Sequence, residues 1–96
     1  MEQIERITYM EQILDEATEA ASSLSDALEK YSAVQDKLQD LIAYYSNDQW
    51  RQDFDDDTAG KLPNNLKRGV LSEDAVYNLL ADIFDLKAQL KELAGK

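Results

Sequence analysis

The chain has 96 residues, enough for one thin-cored domain, and ten Lys and Arg stand against twenty Asp and Glu, a formal net charge of −10. That charge repels nucleic-acid phosphates and anionic membranes, so a partner that reads charge is expected to be basic. The absence of cysteine and histidine excludes disulfides, thiolate zinc sites, Cys dyads and His general bases. The N-terminus, Met1-Glu2-Gln3-Ile4-Glu5-Arg6, is acidic and opens no apolar run; it is read as no secretory signal, and cytoplasm is the expected compartment.

The first element is the clearest. Ile7, Met10, Leu14, Ala17, Ala21, Leu24, Leu28, Tyr31, Gln35, Leu38, Ile42 and Tyr45 alternate in steps of three and four, and only Gln35 is neither apolar nor small. Ile13, Ala20, Ala27, Val34 and Leu41 widen one flank, which suits a bundle better than a two-stranded seam. Glu5, Glu11, Asp15, Glu16, Glu19, Asp26, Glu29, Asp36 and Asp40 fall on the other faces. No glycine or proline interrupts residues 1–59, and the spacing predicts a coiled-coil-like helix over about 2–46. Ser22, Ser23 and Ser25 are its weak point, because serine prefers caps to helix interiors. A break at 22–25 would give a three-helix bundle instead; the unbroken heptad phase favours one long helix.

Residues 47–71 form a connector too long for a plain loop. Ser46-Asn47-Asp48-Gln49 reads as a capping box, with Asp48 a competing cap, and Trp50 and Phe54 at i,i+4 predict a short helix near 48–57. Pro63 and Gly69 bracket Asn64–Arg68, which reads as one or two helical turns. Beyond it, Val76, Leu79, Ile83, Leu86, Leu90 and Leu93 repeat the helical spacing. Ser72 is the expected N-cap, Leu71 and Val76 the staple, Gly95 the stop, and 73–94 the expected extent. The expected fold is all-α, a single helical domain over 1–96: long helix, short helical connector, antiparallel return helix.

Little here points to chemistry. Asp53-Phe54-Asp55-Asp56-Asp57 begins like a calcium loop, but Thr58 stands where the turn needs Gly and Asn64 where the bidentate Glu belongs. No feature raises one carboxylate selectively to make an acid/base pair, and no histidine activates Ser22, Ser23, Ser25 or Thr58. Catalytic, cofactor-binding and metal-binding residues are all expected to be none. Lys61, Lys67 and Arg68, following the acidic run, are read as its electrostatic counterpart within the connector rather than as a nucleic-acid patch.

Trp50-x-x-Asp53-Phe54, followed by Gly60-Lys61-Leu62-Pro63-x-x-Leu66-Lys67-Arg68-Gly69-Val70-Leu71-Ser72-Glu73-Asp74-Ala75-Val76-Tyr77-x-Leu79-Leu80, resembles the signature of a family of small acidic bacterial proteins catalogued only as a domain of unknown function. The resemblance covers most of the chain and is most specific over 60–80. It implies a bacterial cytoplasmic origin and a helical fold, brings no activity or cofactor, and makes the connector the distinctive part.

The expected function is therefore a non-enzymatic protein–protein interaction or adaptor role. The alternatives are an acidic inhibitor or nucleic-acid mimic covering a basic protein site, and a metal-dependent regulator or enzyme using Asp53–Asp57. The candidate partner surface is Trp50, Phe54, Leu62, Leu66, Lys67 and Arg68. These six would either cap the helices as a lid or anchor a partner, and the lid is favoured because an aromatic at helical spacing is usually core. A helix over 2–46 is about 67 Å long and one over 73–94 about 33 Å, so the second covers only half of the first. Ile4, Ile7, Met10, Ile13, Leu14 and Ala17 are left as a candidate dimer face, and a homodimer is expected, with no nucleic-acid or membrane partner.

Overall fold

The structure, a computed structural model, describes residues 2–96. Its elements are α1 (Gln3–Tyr45), α2 (Asp48–Thr58), the 3-10 turn η1 (Gly69–Leu71) and α3 (Ala75–Ala94), with no strand among the described residues. This is the all-α order read from the sequence: a long helix, a structured connector and a second long helix. The chain divides into two compact units, residues up to Gln39 and residues 40–96.

The first unit holds α1 up to Gln39 and no other element. Its helix runs through Ser22–Ser25 without interruption, so the three-helix alternative with a break there is not what the chain adopts. The steady apolar register outweighs the local preference of serine. Hydroxyls inside the helix bond backward to the preceding turn, Thr8 Oγ1 to the Ile4 carbonyl at 2.8 Å and Thr18 Oγ1 to the Leu14 carbonyl at 2.7 Å, and so do not compete for N–H groups elsewhere. Every residue from Glu2 to Lys30 is exposed, while Leu38 is buried.

The second unit begins with the last turn of α1 and contains α2, η1 and α3. Ser46 does not cap α2: its hydroxyl turns back to the Ile42 carbonyl at 2.8 Å. Asn47 is the cap, its Oδ1 accepting from the N–H groups of Gln49 (2.8 Å) and Trp50 (3.4 Å). A side chain one residue nearer the helix reaches the orphan N–H groups that the Ser46 hydroxyl has left unclaimed. At the other end Gly60 takes φ 73°. Its N–H donates to the Asp57 carbonyl and that of Lys61 to the Asp56 carbonyl, both at 3.0 Å. This is a Schellman closure, and it requires the left-handed backbone that glycine adopts freely.

The segment after Pro63 differs from expectation. Asn64–Arg68 makes a single turn, with the Leu66 N–H on the Pro63 carbonyl at 3.2 Å, and the helical turn falls instead on Gly69–Leu71. Long-range bonds displace it: the indole of Trp50 holds the Val70 carbonyl and Asp57 holds Arg68. η1 packs against both α2 and α3. Leu71 and Val76, the expected staple, are both buried. α3 starts at Ala75, two residues later than expected; the Ser72 hydroxyl accepts from the Ala75 N–H at 3.2 Å, while the Glu73 carbonyl accepts the hydroxyl of Tyr45. Along α3, burial is confined to the first half: Val76 is buried, Leu80 and Ile83 are half-buried, and Leu86, Leu90 and Leu93 are exposed.

Candidate functional site

Two surfaces hold the residues singled out by the sequence, one in each unit. In the second unit the organising residue is Trp50. The α2 cap places it one turn after Tyr45, and i,i+4 spacing brings Phe54 onto the same side of α2. The Trp50 ring meets Tyr45 edge-on, 5.2 Å between centroids at 72°, and stacks on Phe54 at 5.2 Å and 22°. Its Nε1–H donates to the Val70 carbonyl at 2.9 Å, which satisfies the one polar atom of a side chain that is only 8% exposed. The Arg51 guanidinium lies 6.0 Å from the Trp50 ring and 5.9 Å from that of Phe54, at the outer limit of cation–π attraction.

The polar groups around this cluster are committed to partners. Tyr44 donates its hydroxyl to Asp53 Oδ2 at 2.6 Å. That hydrogen bond first, then desolvation and the carboxylate's negative charge, push the Tyr44 phenol up to about 12. Tyr45 donates to the Glu73 carbonyl at 3.0 Å, tying the end of α1 to the start of α3. Arg68 Nη1 bonds Asp57 Oδ1 at 2.7 Å, with both side chains about 30% exposed (31% and 28%). Asp56 takes Gln52 Nε2 at 3.0 Å and lies 3.9 Å from Lys61 Nζ.

The aspartate run is thus distributed among a tyrosine, a glutamine, a lysine and an arginine. Among the described residues no group of three or more acids could hold a metal ion. The lysines and arginine that follow the run reach back to it through Lys61 and Arg68, while Lys67 stays exposed. Of the other candidate surface residues, Trp50 faces inward, Phe54 and Leu62 are half-buried and Leu66 is exposed. Trp50, Phe54 and Arg68 are therefore joined into the packed connector, whereas Leu66 and Lys67 remain on its surface. The pairings of Tyr44 with Asp53 and of Val70 with Trp50 are not legible in the local sequence, because the partners lie nine and twenty residues apart and no periodic signal links them.

The second surface is the apolar stripe of α1. Ile4, Ile7, Met10, Ile13 and Leu14 are between 42% and 79% exposed, and Ala17 lies in the same exposed stretch. The unit they belong to contains no second element, so nothing within it covers them. These side chains offer no nucleophile, acid or hydrogen-bond donor.

A family described as a domain of unknown function (DUF4298) matches residues 7–93, which takes in the connector cluster and the α1 stripe from Ile7 onward. Neither the curated proteins nor the solved structures contain a match to the chain. No helix among the described residues is long and apolar enough to cross a membrane.

Proposed function

The chain belongs to the DUF4298 family, a domain of unknown function, and we propose that this protein is a non-enzymatic interaction protein whose binding element is the apolar face of α1. One observation carries this reading: Ile7, Met10 and Leu14 recur at helical spacing, each more than half exposed, on a helix with no other element in its unit. Long helices owe most of their stability to packing of their apolar face, and a contiguous apolar patch of this size normally marks an interaction site. The packed connector supports the same reading. Trp50, Asp53, Asp57 and Arg68 are held by internal bonds, which suits a mount rather than a reaction centre. The partner is a protein in the cytoplasm, and neither nucleic acid nor membrane is involved, in keeping with the net charge of −10.

A second reading has an observation of its own. Asp15, Glu16, Glu19, Asp26 and Glu29 are all exposed on α1 away from the stripe, an acidic face able to cover a basic protein site. The two readings differ in salt dependence, since screening weakens a charge-driven complex and leaves an apolar one nearly intact. The test is recovery of bound protein from the native cytoplasm by the wild-type chain and by Leu14→Asp, at low and high salt. The first reading expects salt-resistant capture that Leu14→Asp abolishes. Capture that survives Leu14→Asp but is lost in salt would overturn it in favour of the acidic face.

A further inference from the structure

We propose that the occupant of the α1 stripe is a second copy of this chain, lying antiparallel so that Ala20 of one copy sits beside Ala20 of the other; this rests on the reading of the stripe as an interface. Ile7, Met10, Leu14, Ala17, Ala21, Leu24 and Leu28 form the seam of the stripe, and the positions that border a helix–helix seam decide which partner it accepts. On one border stand Glu11, Thr18 and Ser25; on the other, Ile13, Ala20 and Ala27. Apart from Glu11 the borders are uncharged between residues 10 and 28. The acids that dominate the helix, Asp15, Glu16, Glu19, Asp26 and Glu29, occupy the three outward positions of the repeat. A seam built to recruit a basic helix would carry its acids on the borders, where they meet the partner's Lys or Arg. A seam that must accept an equally acidic copy needs them turned away, which is the pattern found.

The antiparallel register follows from size and charge. Placing Met10 against Leu28, Leu14 against Leu24 and Ala17 against Ala21 sets large side chains together towards the two ends and alanines together at the centre. Helix axes can then approach to about 8 Å at the middle, the close end of the usual range. In that register Glu11 borders Ser25, Ile13 borders Ala27 and Ala20 borders its own counterpart, so no acid faces an acid. The area is also sufficient. Seven large apolar side chains of the stripe, Ile4 to Leu28, are at least 42% exposed. At roughly 60–120 Å² of apolar surface each, two copies would bury on the order of 1,000 Å² or more, the lower bound of a specific interface. The isologous arrangement uses the same α1 face on both copies and closes on itself through that face.

The chain has no cysteine, so engineered cysteines report the register directly. Ala20→Cys is expected to form a disulfide-linked pair on mild oxidation. Ile13→Cys is expected not to link to itself, but to link when mixed with Ala27→Cys. Sedimentation equilibrium should give the mass of two chains for the wild type and of one chain for Leu14→Asp, with Trp50 fluorescence unchanged to show that the connector stays folded. Self-linking of Ile13→Cys as efficient as that of Ala20→Cys would overturn the antiparallel arrangement. A single-chain mass for the wild type at high protein concentration would overturn the second copy altogether. In that event the interface reading survives if Leu14→Asp still releases a captured protein, and falls with the proposal if it does not.

Discussion

Residues up to Gln39 and residues 40–96 carry the same kind of apolar repeat, yet they use it differently. The second unit buries Trp50, Leu71 and Val76 among its own elements, whereas the first leaves Ile7, Met10 and Leu14 more than half exposed. A heptad stripe therefore states that a helix face needs cover without stating where the cover comes from. In the second unit it comes from the connector and reaches only the first half of α3, where Val76 is buried, while Leu86, Leu90 and Leu93 stay exposed. In the first it has to come from outside the unit, and the outward placement of the α1 acids fits a second copy of the chain.

The largest expected contrast is between Trp50→Ala and Leu14→Ala. Trp50 packs on two rings and bonds Val70, so its removal should cost about 3–5 kcal/mol in urea unfolding. Leu14→Ala should change the stability of the dilute chain by no more than about 0.5 kcal/mol, as for any exposed site. Equal losses at the two positions would break the comparison. Next in size is Gly60→Ala. A Cβ there meets nothing within 4 Å, but φ is +73°, so the loss should be the backbone term alone, about 1–2 kcal/mol, with Gly60→Asn milder. An unchanged melting temperature for Gly60→Ala would show that the Schellman closure contributes nothing.

A double-mutant cycle with Arg68→Met and Asp57→Asn should give a coupling of about 1 kcal/mol or less, since the 2.7 Å pair is partly exposed. A much larger value would make the pair, rather than Trp50, the organiser of the connector. Alkaline titration isolates Tyr44. Its phenol is raised to about 12 in the fold against roughly 10 in an unfolded chain. The stabilisation is thus complete below pH 10 and lost as pH rises through 12. Tyr44→Phe should flatten that decline in chemical unfolding measured across the range; an identical decline in the variant would place its origin elsewhere. The smallest expected effect is with calcium. Asp53, Asp56 and Asp57 already have Tyr44, Gln52, Lys61 and Arg68 as partners, so calorimetry should show no saturable site, and micromolar binding would restore the metal-dependent reading.

How much of this was legible in the sequence follows from the range of each interaction. α1, α2 and α3 were readable to within two residues because periodicity and breakers are local signals: the uninterrupted stretch before Gly60, the Trp50–Phe54 spacing and Gly95. The cap of α2 was not legible: the sequence pointed to Ser46 or Asp48, whereas Asn47 caps the helix and the Ser46 hydroxyl bonds back to Ile42. The turn at Gly69–Leu71 was misplaced onto 64–68 because it is positioned by Trp50 and Asp57 from across the connector. Trp50 was legible as core, but its hydrogen-bond partner was not. The α1 stripe was the most legible feature of all, and the unequal lengths of the two long helices already implied that its N-terminal part would lack cover.

The most direct test of the central claim is amide hydrogen exchange, resolved along the chain, at low and high protein concentration. The account predicts protection within residues 40–96 that does not depend on concentration, and protection in the stretch from Ile7 to Leu28 that rises steeply with it as copies pair. Protection of that stretch equal to that of the connector and unchanged by dilution would contradict the account, because the cover would then lie within the single chain.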